Sequence, residues 1–129
     1  WPKKVRELTG GEGVPVVYDS IGRDTWTGSL ACLAVRGMMV SFGNASGAAP
    51  EFPLGLLAAK GSLFVTRPTI AHYTRDGREL QETADDLFAV IASGAVKIAV
   101  NQKFALADAA KAHQALESRQ TTGATVLIP

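Results

Sequence analysis

Hydrophobic positions along the chain change period several times, and each change predicts an element. Val5 and Leu8 stand at helical spacing among basic residues from Pro2 to Thr9, and Gly10 and Gly11 stop the pattern. That predicts the end of a surface helix with a glycine C-cap. Val14 to Tyr18 is a short run rich in valine without polar alternation, the pattern of a strand buried on both faces of a parallel sheet. Asp24 or Thr25 can cap a helix in which Trp26, Leu30, Leu33 and Ala34 follow the 3.6 period, ending near Arg36 and Gly37. Met38 to Phe42 predicts a second buried strand, Gly43 to Pro50 a glycine-rich loop, Leu54 to Lys60 a short apolar helix, and Ser62 to Thr66 a third strand closed by Arg67 and Pro68.

Beyond Thr69 to Asp76, where Pro, His, Tyr and charges interrupt the strand pattern, the apolar period lengthens again. Leu80, Ala84, Leu87, Phe88 and Ile91 form one face of a long amphipathic helix over Gly77 to Ser93. Val96 to Val100 reads as strand, Ala107 to Ser118 as an alanine-rich helix and Ala124 to Ile128 as a last strand. Strands separated by helical stretches imply parallel βαβ crossovers, right-handed by the general rule. The predicted class is α/β: a partial Rossmann-like parallel sheet in residues 1–76, followed by a C-terminal α/β segment in residues 77–129.

Composition narrows the classes of function more than it selects one. The chain has 129 residues, 47% hydrophobic and 19% charged, with a formal net charge of +1, so there is apolar material for a core and no basic footprint for nucleic acid or an anionic membrane. The longest apolar runs, such as Leu54 to Ala59 and Leu87 to Ala92, are far shorter than the roughly 18 residues of a bilayer span. The single cysteine, Cys32, has no CxxC partner and reads as a small buried thiol of a cytoplasmic protein. The first residue is Trp1, which raises the expectation that the chain begins inside something longer.

A dinucleotide fold is expected to show strand, GxGxxG, then helix, so that the pyrophosphate meets a helix N-terminus. That fingerprint is missing. Gly10-Gly11-Glu12-Gly13 follows a helix and precedes a strand, the reverse order, and reads as a cap and turn. Gly43-Asn44-Ala45-Ser46-Gly47 does follow a strand, and its glycines allow close backbone approach, although a plain loop explains it too. Neither a GxxxxGK[ST] loop nor a GxSxG nucleophile elbow occurs. One Cys and the distant His72 and His113 are too few to predict a metal site; His72, just after the third strand, could reach a cleft. Arg67 and Arg119 offer rigid donor forks suited to phosphate, or to a salt bridge. Ligands of open α/β sheets bind outside the carboxyl ends of the strands. Tyr18-Asp19-Ser20-Ile21-Gly22, Phe42-Gly43-Asn44 and Thr66-Arg67-Pro68 all fall at that end and are expected to share one rim.

These same residues carry a family resemblance. Val17 to Gly22, Val40 to Gly47 and Leu63 to Pro68, together with Ala112 to Arg119 and Thr122-Gly123 before the last strand, resemble the bacterial NADPH:quinone oxidoreductases. That family is the zinc-free, zeta-crystallin-like branch of the medium-chain dehydrogenase/reductases. The resemblance is collinear over nearly the whole chain but covers only the later part of the family's length. It implies the second half of a cofactor domain plus the segment returning to a catalytic domain, with the glycine-rich turn lying upstream. It further implies hydride transfer from NADPH to a quinone, with Phe42, Gly43 and Asn44 on the nicotinamide side of the cleft. Thr66 and Arg67 would meet the carboxamide end, Arg119 would reach the cofactor, and Tyr18 and Ser20 would lie near the adenosine. No catalytic residue is named by it. A homodimer through the edge strand Leu63 to Thr66 is implied as well. Two other readings stay open: a non-catalytic fragment or dimerisation module, inactive alone, and a related reductase acting on an enone or enoyl thioester.

Overall fold

The computed structural model describes all residues, Trp1–Pro129, which divide into two compact units, Trp1–Tyr73 and Thr74–Pro129. In the first, helix α1 (Pro2–Leu8) leads to strand β1 (Val14–Asp19), helix α2 (Trp26–Cys32), strand β2 (Leu33–Ser41), the short helix α3 (Gly55–Ala59), strand β3 (Phe64–Thr66) and a 3₁₀ turn at Ile70–His72. In the second, helix α4 (Gly77–Ala92) precedes strand β4 (Val100–Ala105), a 3₁₀ turn at Leu106–Asp108, helix α5 (Ala109–Glu117) and strand β5 (Ala124–Ile128). Both sheets are parallel, ordered β1-β2-β3 and β4-β5, as the α/β reading predicts. No helix is long and apolar enough to cross a membrane.

The register explains where the first unit keeps its interior. Val16, Met38 and Phe64 are partners across the three strands, as are Val17, Met39 and Val65, and Tyr18, Val40 and Thr66. Successive side chains of a strand point to opposite faces, so Val17, Met39 and Val65 share one face. There Met39 is fully buried in a cluster with Trp26, Leu30, Leu33 and Leu63, and Val17 and Val65 pack against it beside Phe52 and Leu57. Trp26 and Phe52 meet as a tilted aromatic pair with centroids 4.9 Å apart. Each such side chain removed from water contributes about 1.5–3 kcal/mol.

The other face differs from the expectation of strands buried on both sides. Val16, Tyr18, Met38 and Phe64 are all exposed, Tyr18 to 74%. The unit's buried residues lie on the Met39 side, so a β-branched run without polar alternation overstates how much of the strand is covered.

Three boundaries also differ. The second helix stops at Cys32 rather than near Arg36, because Leu33 leaves helical geometry and pairs with Val14. The next residues loop out of register, with Arg36 at φ 62° and its N–H bonded to Gly61 O, before pairing resumes at Met38. Arg6 fastens this junction: its guanidinium donates to Ala31 O, Gly11 O and Leu33 O at 3.0, 2.8 and 2.7 Å. The fourth strand runs over Val100–Ala105, not Val96–Val100, because the hydrogen-bonded partners of β5 are the alternating residues that follow the apolar run. The last helix starts at Ala109, two residues later than predicted, after the 3₁₀ turn. β3 pairs with β2 alone and so lies at an edge of its sheet.

Candidate functional site

The C-terminal ends of β1, β2 and β3 lie side by side because the strands are parallel and in register there. Asp19, last residue of β1, is 4% exposed and its carboxylate is fully engaged. Oδ1 accepts the N–H groups of Ile21 and Gly22 at 2.8 and 2.9 Å; Oδ2 accepts the hydroxyls of Thr25 and Ser29 at 2.7 and 2.6 Å. Burial by itself pushes this carboxyl up, but the hydrogen bonds from Ser29, Gly22, Thr25 and Ile21 together outweigh it and hold the group below the usual carboxylate range. Residues 20–22 are thereby drawn into a tight turn at the entrance of α2. Thr25, expected as a helix cap, makes no side-chain cap bond and serves this carboxylate instead.

The turn shapes the loop after β2. Phe42 N donates to Asp19 O, Ala45 N to Ser20 O and Ser46 N to Ile21 O, at 2.9, 3.2 and 2.8 Å, and Arg23 N returns a bond to Gly47 O at 3.1 Å. Ser46 Oγ donates to Ile21 O and accepts from Asp24 N. The two backbones run so close that a Cβ on Gly43 would collide with the Ser20 carbonyl, which is why glycine stands there. From the other side Arg67 Nη1 donates to Ser41 O and Gly43 O, at 3.0 and 3.1 Å.

Two surface depressions open beside this loop and share Arg67. One, about 650 Å³, is lined by Phe42, Arg67, Pro68, Thr69, Ile70 and Tyr73. The other, about 340 Å³, is bordered by Asn44, Pro50, Phe52 and Arg67 among others. Both fall within the roughly 300–1,000 Å³ of small-molecule sites, the first well inside it.

Of the residues singled out from sequence, Phe42, Gly43, Asn44 and Arg67 come together around the loop. Ser20 reaches it through its carbonyl. Tyr18 and Thr66 stand in one row on the exposed sheet face, with Val40 between them. Arg119 belongs to the second unit, exposed and at φ 57° just beyond α5. His72 is exposed on the 3₁₀ turn, and His113 borders a small apolar cavity of about 160 Å³ with Leu116 and Leu127. Cys32 is buried, and burial pushes its thiol up. Sequence reasoning placed Asp19 and Ser46 within strand-end segments without giving either a role, and passed over Ser29 and Tyr73. An acidic residue closing an apolar strand, with Gly22 just after it and two hydroxyl residues four apart on the next helix, was the available signal.

The model of the zinc-binding dehydrogenase family matches residues 2–127. The chain belongs to that family. A family relative, the quinone oxidoreductase of Pseudomonas aeruginosa, is 55% identical over 127 residues, which are 98% of this chain and 39% of the relative. A solved quinone oxidoreductase of Pseudomonas syringae is 52% identical with a TM-score of 0.92, covering 99% of this chain and 39% of that one. The quinone oxidoreductase of Escherichia coli, solved in complex with NADPH, is 53% identical with a TM-score of 0.91, covering 98% of this chain and 40% of that one. This chain therefore spans about two fifths of the length of the relatives it matches.

The zinc in the family's description does not fit the residues of this chain. No group of three or more His, Cys, Asp or Glu is placed to hold a metal ion, and the lone cysteine is buried. For a nicotinamide ring the fit is better: a depression of adequate volume has Phe42 and Tyr73 in its lining, and the half-buried Gly43 and exposed Asn44 follow Phe42 in the loop.

Proposed function

We propose that this chain supplies the nicotinamide-side wall of the cofactor cleft in an NADPH-dependent quinone oxidoreductase. The observation that carries the reading is the convergence of Phe42, Gly43, Asn44 and Arg67 on one loop at the strand ends, in a chain more than half identical to quinone oxidoreductases. In this reading residues 1–76 are the second half of a nucleotide-binding domain, and residues 77–129 return toward a catalytic domain. Phe42, Gly43 and Asn44 border the nicotinamide, Thr66 and Arg67 meet its carboxamide end, Tyr18 and Ser20 face the adenosine side, and Arg119 reaches the cofactor.

The bound cofactor supplies the hydride; the protein orients it and tunes its surroundings. Gly43 and Asn44 offer main-chain groups on a loop that is already braced, so little conformational freedom is lost when a ligand docks. Arg67 spends one nitrogen on the loop and keeps its remaining donors for a polar ligand group. NADPH rather than NADH is supported by the family resemblance and by the cofactor of the Escherichia coli relative. The relatives' names favour a quinone over an enone or enoyl thioester. A homodimer through the edge strand Leu63 to Thr66 and a cytoplasmic location complete the proposal; light scattering showing only monomer at high concentration would remove the dimer.

A chimera tests the function. The 129 residues replace the matching segment of the Pseudomonas aeruginosa relative, and NADPH oxidation by a quinone is assayed. The expected result is turnover close to the parent's. A chimera that folds and reduces no quinone overturns the proposal.

A further inference from the structure

We infer that Asp19 is a positioning residue: its buried carboxylate sets the shape of the Phe42–Gly47 loop without touching what binds there. Every acceptor position used on the carboxylate faces inward, to two backbone N–H groups and two hydroxyls, and the side chain is closed to solvent. Its influence passes through the backbone. By gathering Ile21 N–H and Gly22 N–H it turns the carbonyls of Ser20 and Ile21 toward the second loop, where they accept Ala45 N–H, Ser46 N–H and the Ser46 hydroxyl. Gly43 has no room to retreat from Ser20, so a shift of the turn is transmitted to the loop. Arg67 braces the same loop from the β3 side. A buried carboxylate with four donors is stronger than neutral bonds would be, and it fixes one geometry because each donor occupies a separate lone-pair direction.

The link from loop shape to cofactor affinity rests on the function proposed above; the link from Asp19 to loop shape does not. Hydrogen exchange of single amides in the 129-residue chain separates them. Asp19→Asn keeps the size but removes the charge, and Ser29→Ala keeps the carboxylate while deleting one donor. The expected result is exchange at Ala45 and Ser46 faster by about tenfold in Asp19→Asn and by a few fold in Ser29→Ala. Exchange at Met39, inside the sheet, is accelerated less than at the loop in Ser29→Ala. Unchanged exchange at Ala45 and Ser46 in both variants, or acceleration in Ser29→Ala as large at Met39 as at the loop, overturns the inference. NADPH affinity by calorimetry then reads the second link. With binding present, about tenfold weakening by Asp19→Asn is expected, and unaltered affinity with a loosened loop overturns that link. If the parent chain binds no NADPH, the cofactor reading fails while the exchange result stands by itself.

Discussion

The two units are built from the same alternation of helix and parallel strand, yet they differ in what they bury. Trp1–Tyr73 encloses Trp26, Leu30, Leu33, Met39 and Leu63 along with the polar Asp19, Ser29 and Ser41. Thr74–Pro129 buries only Ala112. On α4, Leu80, Leu87 and Phe88 are each more than half exposed, and the helix buries no residue at all. A buried carboxylate can be held in one geometry only where an apolar frame excludes water from it. The first unit has such a frame beneath its strand ends; the second has paired strands and exposed apolar faces, the kind of surface that favours association.

The strongest way to break this contrast is to cut into both apolar sets. Met39→Ala is expected to cost the first unit about 2–5 kcal/mol, whereas Leu87→Ala on α4 stays within about 0.5 kcal/mol. Denaturant titrations followed through amide resonances of each unit check both values, and equal costs would erase the distinction. Next in size is Arg6→Ala, which removes the donor to the Ala31 and Leu33 carbonyls at the α2–β2 junction and to Gly11 O before β1, and is expected to cost roughly 1–3 kcal/mol in the same titration.

Acid sharpens the contrast further. The folded Asp19 carboxyl sits below its unfolded value, so its contribution is complete at neutral pH and fades as pH falls below about 4 through the folded pKa. The first unit is therefore expected to lose stability in that window, and Asp19→Asn to flatten the loss; a profile that Asp19→Asn leaves unchanged would assign the acid sensitivity elsewhere. The most local effect is expected at the start of α4, whose N-cap Asp76 accepts Glu79 N–H at 2.8 Å. Asp76→Ala costs about 1 kcal/mol of local helix stability, visible in the chemical shifts of Gly77 to Gln81 and absent from the first unit.

Much of this was readable from residue order. The strand ends at Tyr18-Asp19, Phe42-Gly43 and Thr66-Arg67 follow from apolar runs broken by polar residues, and parallel pairing then places them on one rim. What periodicity could not supply is which face of a strand is covered: Val16 and Val17 look alike in sequence, and only packing against Trp26 and Phe52 separates them. Leu33 and Ala34 continue the helical period, so the stop at Cys32 depends on a long-range bond partner, Val14, that local pattern does not contain. The part played by the Asp19 carboxylate escaped notice for a related reason. A carboxylate earns its role from donors ten residues away, and Ser29 looks like an ordinary helix serine until the fold brings it to 2.6 Å.

The central claim is that the loop at the end of β2 receives a nicotinamide cofactor. An NMR titration of the labelled chain with NADPH tests it most directly. The account predicts saturable shifts at the amides of Phe42, Gly43, Asn44 and Arg67, with Met39 unmoved. Spectra that do not change as NADPH is added, or shifts confined to α4, β4 and β5, would contradict it.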